Sequence, residues 1–377
     1  MKKSLLALAA LSTFAGVAHA QSNVTLYGIV DEGLVYTNNV ATSSGHSSLT
    51  QLASGNESGS RWGLTGAEDL GGGLKAIFKL ENGFNANNGT LGQGGREFGR
   101  QAWVGLNSGF GTLTLGRQYN AVQDYLAPLD VASVLTQFAT HPYDNDNLNN
   151  TFRTDNSVKY ATPLIAGFQA EALYAFSNST NFANNRAYSV GATYSMGPMA
   201  LGAGYARAQN PGANGGALVG NVATAASTGT SSPYGSSFGT RVDQWGIGGT
   251  YAFGPATVGL LYTGSLFTNA TNKLILGGAA GSLHFNNYEA SLRYQLAPAL
   301  VLALGETYTT LHEAGNSGHY LQTSAGADYN LSKRTDVYLN AFYQKTSSNL
   351  VANIDAAGGA ASGTSQVAAT VGIRHKF

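Results

Sequence analysis

Polar and apolar positions alternate with period two along most of this chain. In 74–81, Leu74, Ala76, Phe78 and Leu80 share one parity, and Lys75, Ile77, Lys79 and Glu81 share the other. Tyr288, Ala290, Leu292 and Tyr294 oppose Glu289, Ser291, Arg293 and Gln295. Leu321, Ala325, Ala327 and Tyr329 oppose Gln322, Ser324, Gly326 and Asp328, and Val337, Leu339, Ala341 and Tyr343 oppose Asp336, Tyr338, Asn340 and Gln344. At the end of the chain, Val367, Ala369, Val371, Ile373, His375 and Phe377 face away from Ala368, Thr370, Gly372, Arg374 and Lys376. A β-strand sends successive side chains to opposite faces, so each segment reads as a strand with one apolar face and one polar face.

Sixteen such strands are predicted, near 23–36, 59–69, 74–84, 97–108, 111–118, 153–162, 167–177, 187–195, 198–208, 241–253, 256–267, 284–296, 299–311, 318–330, 335–346 and 366–377. Tight connections such as Asp69-Leu70-Gly71-Gly72-Gly73 and Ala297-Pro298 alternate with long ones near 37–58, 119–152, 209–240 and 347–365. An apolar outside, a polar inside and turns that are short at one end and long at the other define a transmembrane barrel. A one-residue slip would place a Lys or Arg in lipid at about 2–4 kcal/mol, so the register is specified. A soluble β-sandwich also alternates, but it needs no apolar outer belt. Lipid offers unpaired backbone groups no partner, so the first strand must pair with the last. The expected fold is all-β: a closed antiparallel 16-stranded transmembrane barrel, wide enough for an aqueous channel.

Composition narrows the alternatives. Fifty glycines, twenty tyrosines and sixteen phenylalanines fit strands that turn often and carry aromatic girdles. Disorder is disfavoured by the aromatics, and the glycines lack the three-residue period of collagen. The formal charge is zero, so nothing points to nucleic acid as a partner. There is no cysteine, so closure of the sheet rather than disulfides must hold the fold. Lys2 and Lys3, the apolar run Leu5 to Val17 and Ala18-His19-Ala20 read as a signal peptide over 1–20, leaving a barrel domain over 21–377. No apolar run is long enough to cross as a helix.

Four segments carry a family resemblance. Ser60-Arg61-Trp62-Gly63-Leu64-Thr65-Gly66-Ala67-Glu68-Asp69-Leu70-Gly71-Gly72-Gly73-Leu74-Lys75-Ala76 resembles the Gram-negative general porins. So do Val24-Thr25-Leu26-Tyr27-Gly28, Leu115-Gly116-Arg117-Gln118-Tyr119 and Asn156-Ser157-Val158-Lys159-Tyr160, and the Arg-His-Lys-Phe ending is similar to betaproteobacterial members. The resemblance implies an outer-membrane homotrimer of sixteen-stranded barrels passing small hydrophilic solutes and ions. Each pore would be narrowed by an inward-folded third loop, and the strand ending at Phe377 would address the assembly machinery.

By the same resemblance, Arg61, Arg100 and Arg153 match the basic wall of the constriction, with Arg117 close by. Facing them, 119–152 carries Asp124 and Asp130 as the acidic side, with Asp144 and Asp146 further on. Lys75, Lys79, Lys159 and Arg293 are further lumen cations; Asp31, Glu81, Asp155, Glu289 and Asp336 are lumen acids. That balance leans weakly toward anions.

Other functions are weighed against this. Gly235-Ser236-Ser237-Phe238-Gly239 matches G-x-S-x-G, but no helix follows it, so no nucleophile elbow is expected. His46, His141, His284, His312 and His319 show no metal-binding spacing, and neither a metal nor a cofactor is expected. A substrate-specific channel would use inward aromatics, for which Tyr27, Tyr338 and Phe342 are candidates. A non-conducting adhesin barrel is the remaining alternative.

Overall fold

The computed structural model describes residues 23–133, 135–211, 239–270 and 281–377. The signal peptide expected over 1–20, most of the 209–240 connection and four of the five residues of the G-x-S-x-G match lie outside the described residues.

Seventeen strand segments form one antiparallel sheet that closes on itself. They are β1 (Asn23–Thr42), β2 (Gly45–Ser54), β3 (Arg61–Gly71), β4 (Leu74–Gly83), β5 (Gln101–Ser108), β6 (Gly111–Gln118), β7 (Thr154–Ala161), β8 (Phe168–Ala175) and β9 (Ala187–Met196), followed by β10 (Met199–Gln209), β11 (Arg241–Phe253), β12 (Ala256–Ala270), β13 (Gly281–Ala297), β14 (Leu300–Glu313), β15 (Asn316–Asn330), β16 (Thr335–Thr346) and β17 (Ser365–Lys376). β1 pairs along one edge with β17. Along its other edge it meets β3 over Asn23–Ile29 and β2 over Glu32–Thr42. β2 and β3 are therefore two halves of one stave, broken at 55–60, and the barrel has sixteen staves.

That pairing corrects one expectation. The 37–58 stretch is not a long loop: β1 continues to Thr42 and returns at once through β2. The backbone hydrogen bonds this hairpin makes outweigh its polar, turn-like composition.

Closure is sealed at Phe377, whose N–H and C=O exchange 3.0 Å hydrogen bonds with Gly28. The tight turn Gly71-Gly72-Gly73 has φ of 84, 61 and 79°, a left-handed run that only glycine adopts at little cost.

The two faces separate as alternation requires. Leu26, Leu34, Val104, Val190, Ile247, Leu260, Leu304, Leu339 and Val371 are exposed on the outer surface. The opposite parity carries buried polar groups such as Asp31, Glu81, Thr263, Asn287, Glu289, Gln322 and Gln344.

Two connections fill part of the interior. Residues 119–153, between β6 and β7, begin with a short helix α1 (Ala121–Leu126), capped by Asn120 and Gln123, and continue in 3-10 turns. The segment hydrogen-bonds to the inward face: Ala121 N–H to Ser189, Val131 N–H to Glu289, and Gln322 Nε2 to the Phe138 carbonyl. Glycines make room for it. A Cβ at Gly202 would collide with the Tyr125 carbonyl, and one at Gly204 would lie 3.1 Å from Val122 Cα.

Residues 347–364 also turn inward. Ile354 and Ala357 join Val131, Leu135, Phe138, Phe342 and Ala368 in one buried cluster.

Candidate functional site

A cleft of about 440 Å³ lies between the 119–153 segment and the barrel wall, lined by Arg61, Arg100 and Arg153 with Glu57, Asp130 and Asp355. Arg61 opens β3 on the inward parity of Gly63 and Thr65, just after the break in the second stave. Its side chain makes no hydrogen bond or ion pair among the described residues.

Arg100 sits just before β5 and donates from Nε to Glu81 Oε1 at 2.8 Å and from Nη2 to Tyr119 Oη at 3.2 Å. Burial opposes its charge, but Tyr119 and Glu81 overcome this and hold its pKa above the usual arginine value. Arg153 lies over the Tyr119 ring, 5.5 Å from its centroid, and donates to the Asn150 carbonyl. Burial lowers its pKa to about 10, which leaves the guanidinium charged at neutral pH.

The acids opposite are muted. Asp130 accepts from Ala132 N–H and is pushed well above the carboxylate range, first by burial and then by Glu289 beside it. Asp355, in the second infolded segment, is raised to about 6 by burial. Glu57 lies 3.5 Å from Arg374, which also binds Asp336 at 3.1 Å.

Two residues of the sequence reading stand apart from this cleft. Arg117 is buried and does not line the cleft, although it shares the parity of the exposed Leu113 and Leu115. It bonds Asp155 Oδ1 at 2.5 Å and the Gly99 carbonyl at 2.8 Å, and Asp155 also takes Arg96. The register of β6 against β7 shifts between Gly116 and Gln118, beside this pair. Asp124 is withdrawn by Lys159, whose Nζ lies 2.5 Å from it and 3.8 Å from Glu171.

The other cations are spread out. Lys79 lies 3.7 Å from Glu81 and over the Tyr27 ring, Lys75 is exposed near the short-turn end, and Arg293 lines a second hollow beneath Pro128 and Leu129. The inward aromatics form no track: Tyr27 Oη binds Glu81, Tyr338 Oη binds Asp31, and Phe342 packs on Phe138 with ring centroids 5.6 Å apart.

Sequence reasoning missed Asp355 and Tyr119 as cleft partners. An Asp in a polar loop gives no signal of folding inward, although Tyr119 does close the Leu115–Tyr119 motif.

A closed barrel with an apolar outer belt and a charged, partly plugged lumen defines a channel of the outer membrane. The model of the Gram-negative porin family matches residues 7–349, and the chain belongs to that family. It is 32% identical to outer membrane porin protein 32 of Delftia acidovorans over the whole length of both. It is 42% identical to an outer membrane porin protein of Bordetella pertussis, an alignment spanning 54% of this chain and 59% of that protein.

Among solved structures it is similar to an anion-selective porin from Comamonas acidovorans, with 27% identity and a TM-score of 0.75 over 95% of this chain and all of that one. A trimer form of OmpT from Vibrio cholerae shares the fold at 17% identity and a TM-score of 0.66, over 94% of this chain and 99% of that one. The protein is an outer-membrane porin. Family and fold point to a channel rather than an enzyme.

Proposed function

We propose that this porin lets small hydrophilic solutes and ions diffuse passively through a homotrimer, with a weak preference for anions set by Arg61, Arg100 and Arg153. The observation carrying this is the imbalance across the cleft. Three guanidiniums converge there, Arg61 makes no ion pair among the described residues, and Asp130 opposite is pushed toward its neutral form. A fixed positive wall in a narrow aqueous passage raises the local anion concentration. The similar Comamonas acidovorans porin, described as anion-selective, agrees in sign. Arginine suits the task because it stays charged and rigid.

Single-channel recording of refolded protein in a planar bilayer, with reversal potential in a salt gradient, tests the reading. Closures in threes with an anion-leaning reversal support it. A cation-leaning reversal keeps the porin and overturns the dominance of the arginines. Saturable block by one solute would favour a specific channel.

A further inference from the structure

His141 has no metal-binding partner by sequence spacing, yet the fold carries Glu289 of β13 and Asp130 to it. One ligating atom from each of Asp130, His141 and Glu289 lies within 4.8 Å of the other two, and all three side chains are at most 4% exposed. The surroundings occupy one polar atom of each, and the second atoms face one another. Glu289 Oε1 accepts from Val131 N–H at 2.8 Å, leaving Oε2, and Asp130 Oδ1 accepts from Ala132 N–H at 2.9 Å, leaving Oδ2. His141 Nδ1 is 2.6 Å from Asp146 Oδ2, leaving Nε2, which lies 3.1 Å from Glu289 Oε2.

A carboxylate on the far ring nitrogen is how proteins orient a ligating imidazole and fix its tautomer. Here that carboxylate is itself held, by Thr263 Oγ1 and by Asn287 Nδ2 at 3.3 Å. With its proton on Nδ1, His141 can turn an Nε2 lone pair to the same point as the two carboxylates, and a cation there would take the place of the proton that now bridges Nε2 and Glu289 Oε2. The 3.1 Å separation is close to the edge of about 3.3 Å between two ligands of a tetrahedral cation at 2.0–2.1 Å. Asp130 also lines the cleft, so a cation has a path in from the water of the channel.

We propose that Asp130, His141 and Glu289 bind a divalent transition cation, one nitrogen and two oxygen donors suiting zinc or a neighbouring first-row metal. The bound ion fastens the infolded segment to the wall of the barrel at β13. A fourth position is left for water on the cleft side.

The test is equilibrium dialysis of the refolded porin against buffered zinc, with metal counted by mass spectrometry and ligands read by X-ray absorption at the zinc edge. Wild type should retain one zinc per chain, with a single imidazole among oxygen donors. Glu289→Gln, which keeps the side-chain shape and removes a donor charge, should lower affinity at least tenfold. A bound zinc surrounded by two or more imidazoles belongs to other histidines and overturns the proposal. So does equal retention by Glu289→Gln, or no retention by the wild-type barrel. The absorption spectrum needs no variant, so a substitution that fails to fold leaves the proposal open to refutation.

Discussion

Arg100 Nε lies 2.8 Å from Glu81 Oε1, so one of the three cleft cations is balanced by a carboxylate from the neighbouring strand. The same acid accepts from Tyr27 and lies 3.7 Å from Lys79. Glu81→Gln should therefore release Arg100 and Lys79 to the lumen. One unscreened charge at about 4 Å in water is worth about 1 kcal/mol, so the anion-to-cation permeability ratio should rise by up to about fivefold. Leaving Arg100 short of its partner should also cost about 1–3 kcal/mol of stability, read by denaturant unfolding.

Arg61→Gln should act in the opposite direction. The Arg61 side chain makes no ion pair at contact distance, so its removal should shift the reversal potential toward cations with little cost to the barrel. The shift should shrink as salt rises, since the screening length is about 10 Å at 0.1 M and about 3 Å at 1 M. A shift unchanged at 1 M would argue against a through-water effect.

Selectivity should respond to pH through Asp355. Its carboxyl is raised from 3.8 to about 6, so its charge is present above that value and lost below it. Lowering the pH from about 7.5 to about 5 should therefore strengthen anion preference, and Asp355→Asn should flatten this response. The sign for stability is separate. The native state holds this proton more tightly than the unfolded chain, so Asp355 makes stability fall as pH rises from 3.8 to about 6. Unfolding midpoints across that window should change less in the Asn variant.

Gly202 keeps a place for the infolded segment. A Cβ there would strike the Tyr125 carbonyl, a backbone atom that cannot rotate aside. Gly202→Val should displace α1, raise single-channel conductance and cost about 1–3 kcal/mol from overpacking. An unchanged conductance would mean that α1 does not narrow the pore.

On the outer face, Leu260 is 70% exposed within β12. Leu260→Arg should cost about 2–4 kcal/mol when the protein is refolded into lipid vesicles, whereas Thr257→Arg, on the opposite face of the same strand and lining the hollow beneath Pro128, should cost less. Equal costs would contradict the assignment of the two faces.

The strands and their faces were legible in the sequence. In β13, β14, β16 and β17, period-two alternation alone separates the exposed Tyr288, Leu304, Leu339 and Val371 from the buried Glu289, Ala303, Asn340 and Thr370. A strand's faces depend on local geometry, and a slip is punished everywhere along it, so the sequence by itself determined the staves and the closed barrel. The route of 119–153 and 347–364 through the lumen depends on partners more than a hundred residues away, such as Glu289 for Val131 and Thr37 for Ala357. No local pattern encodes those meetings.

The same division explains the cleft. Arg61 follows from its strand, whereas Arg100 shares the parity of the exposed Val104 and is drawn in by Glu81, Arg117 is taken by Asp155 and Asp124 is claimed by Lys159. The approach of Asp130 and His141 to Glu289, with the proton and cation chemistry it creates, was decided only by the tertiary structure. Desolvation and charge pairing act through space, between residues that the chain itself keeps far apart.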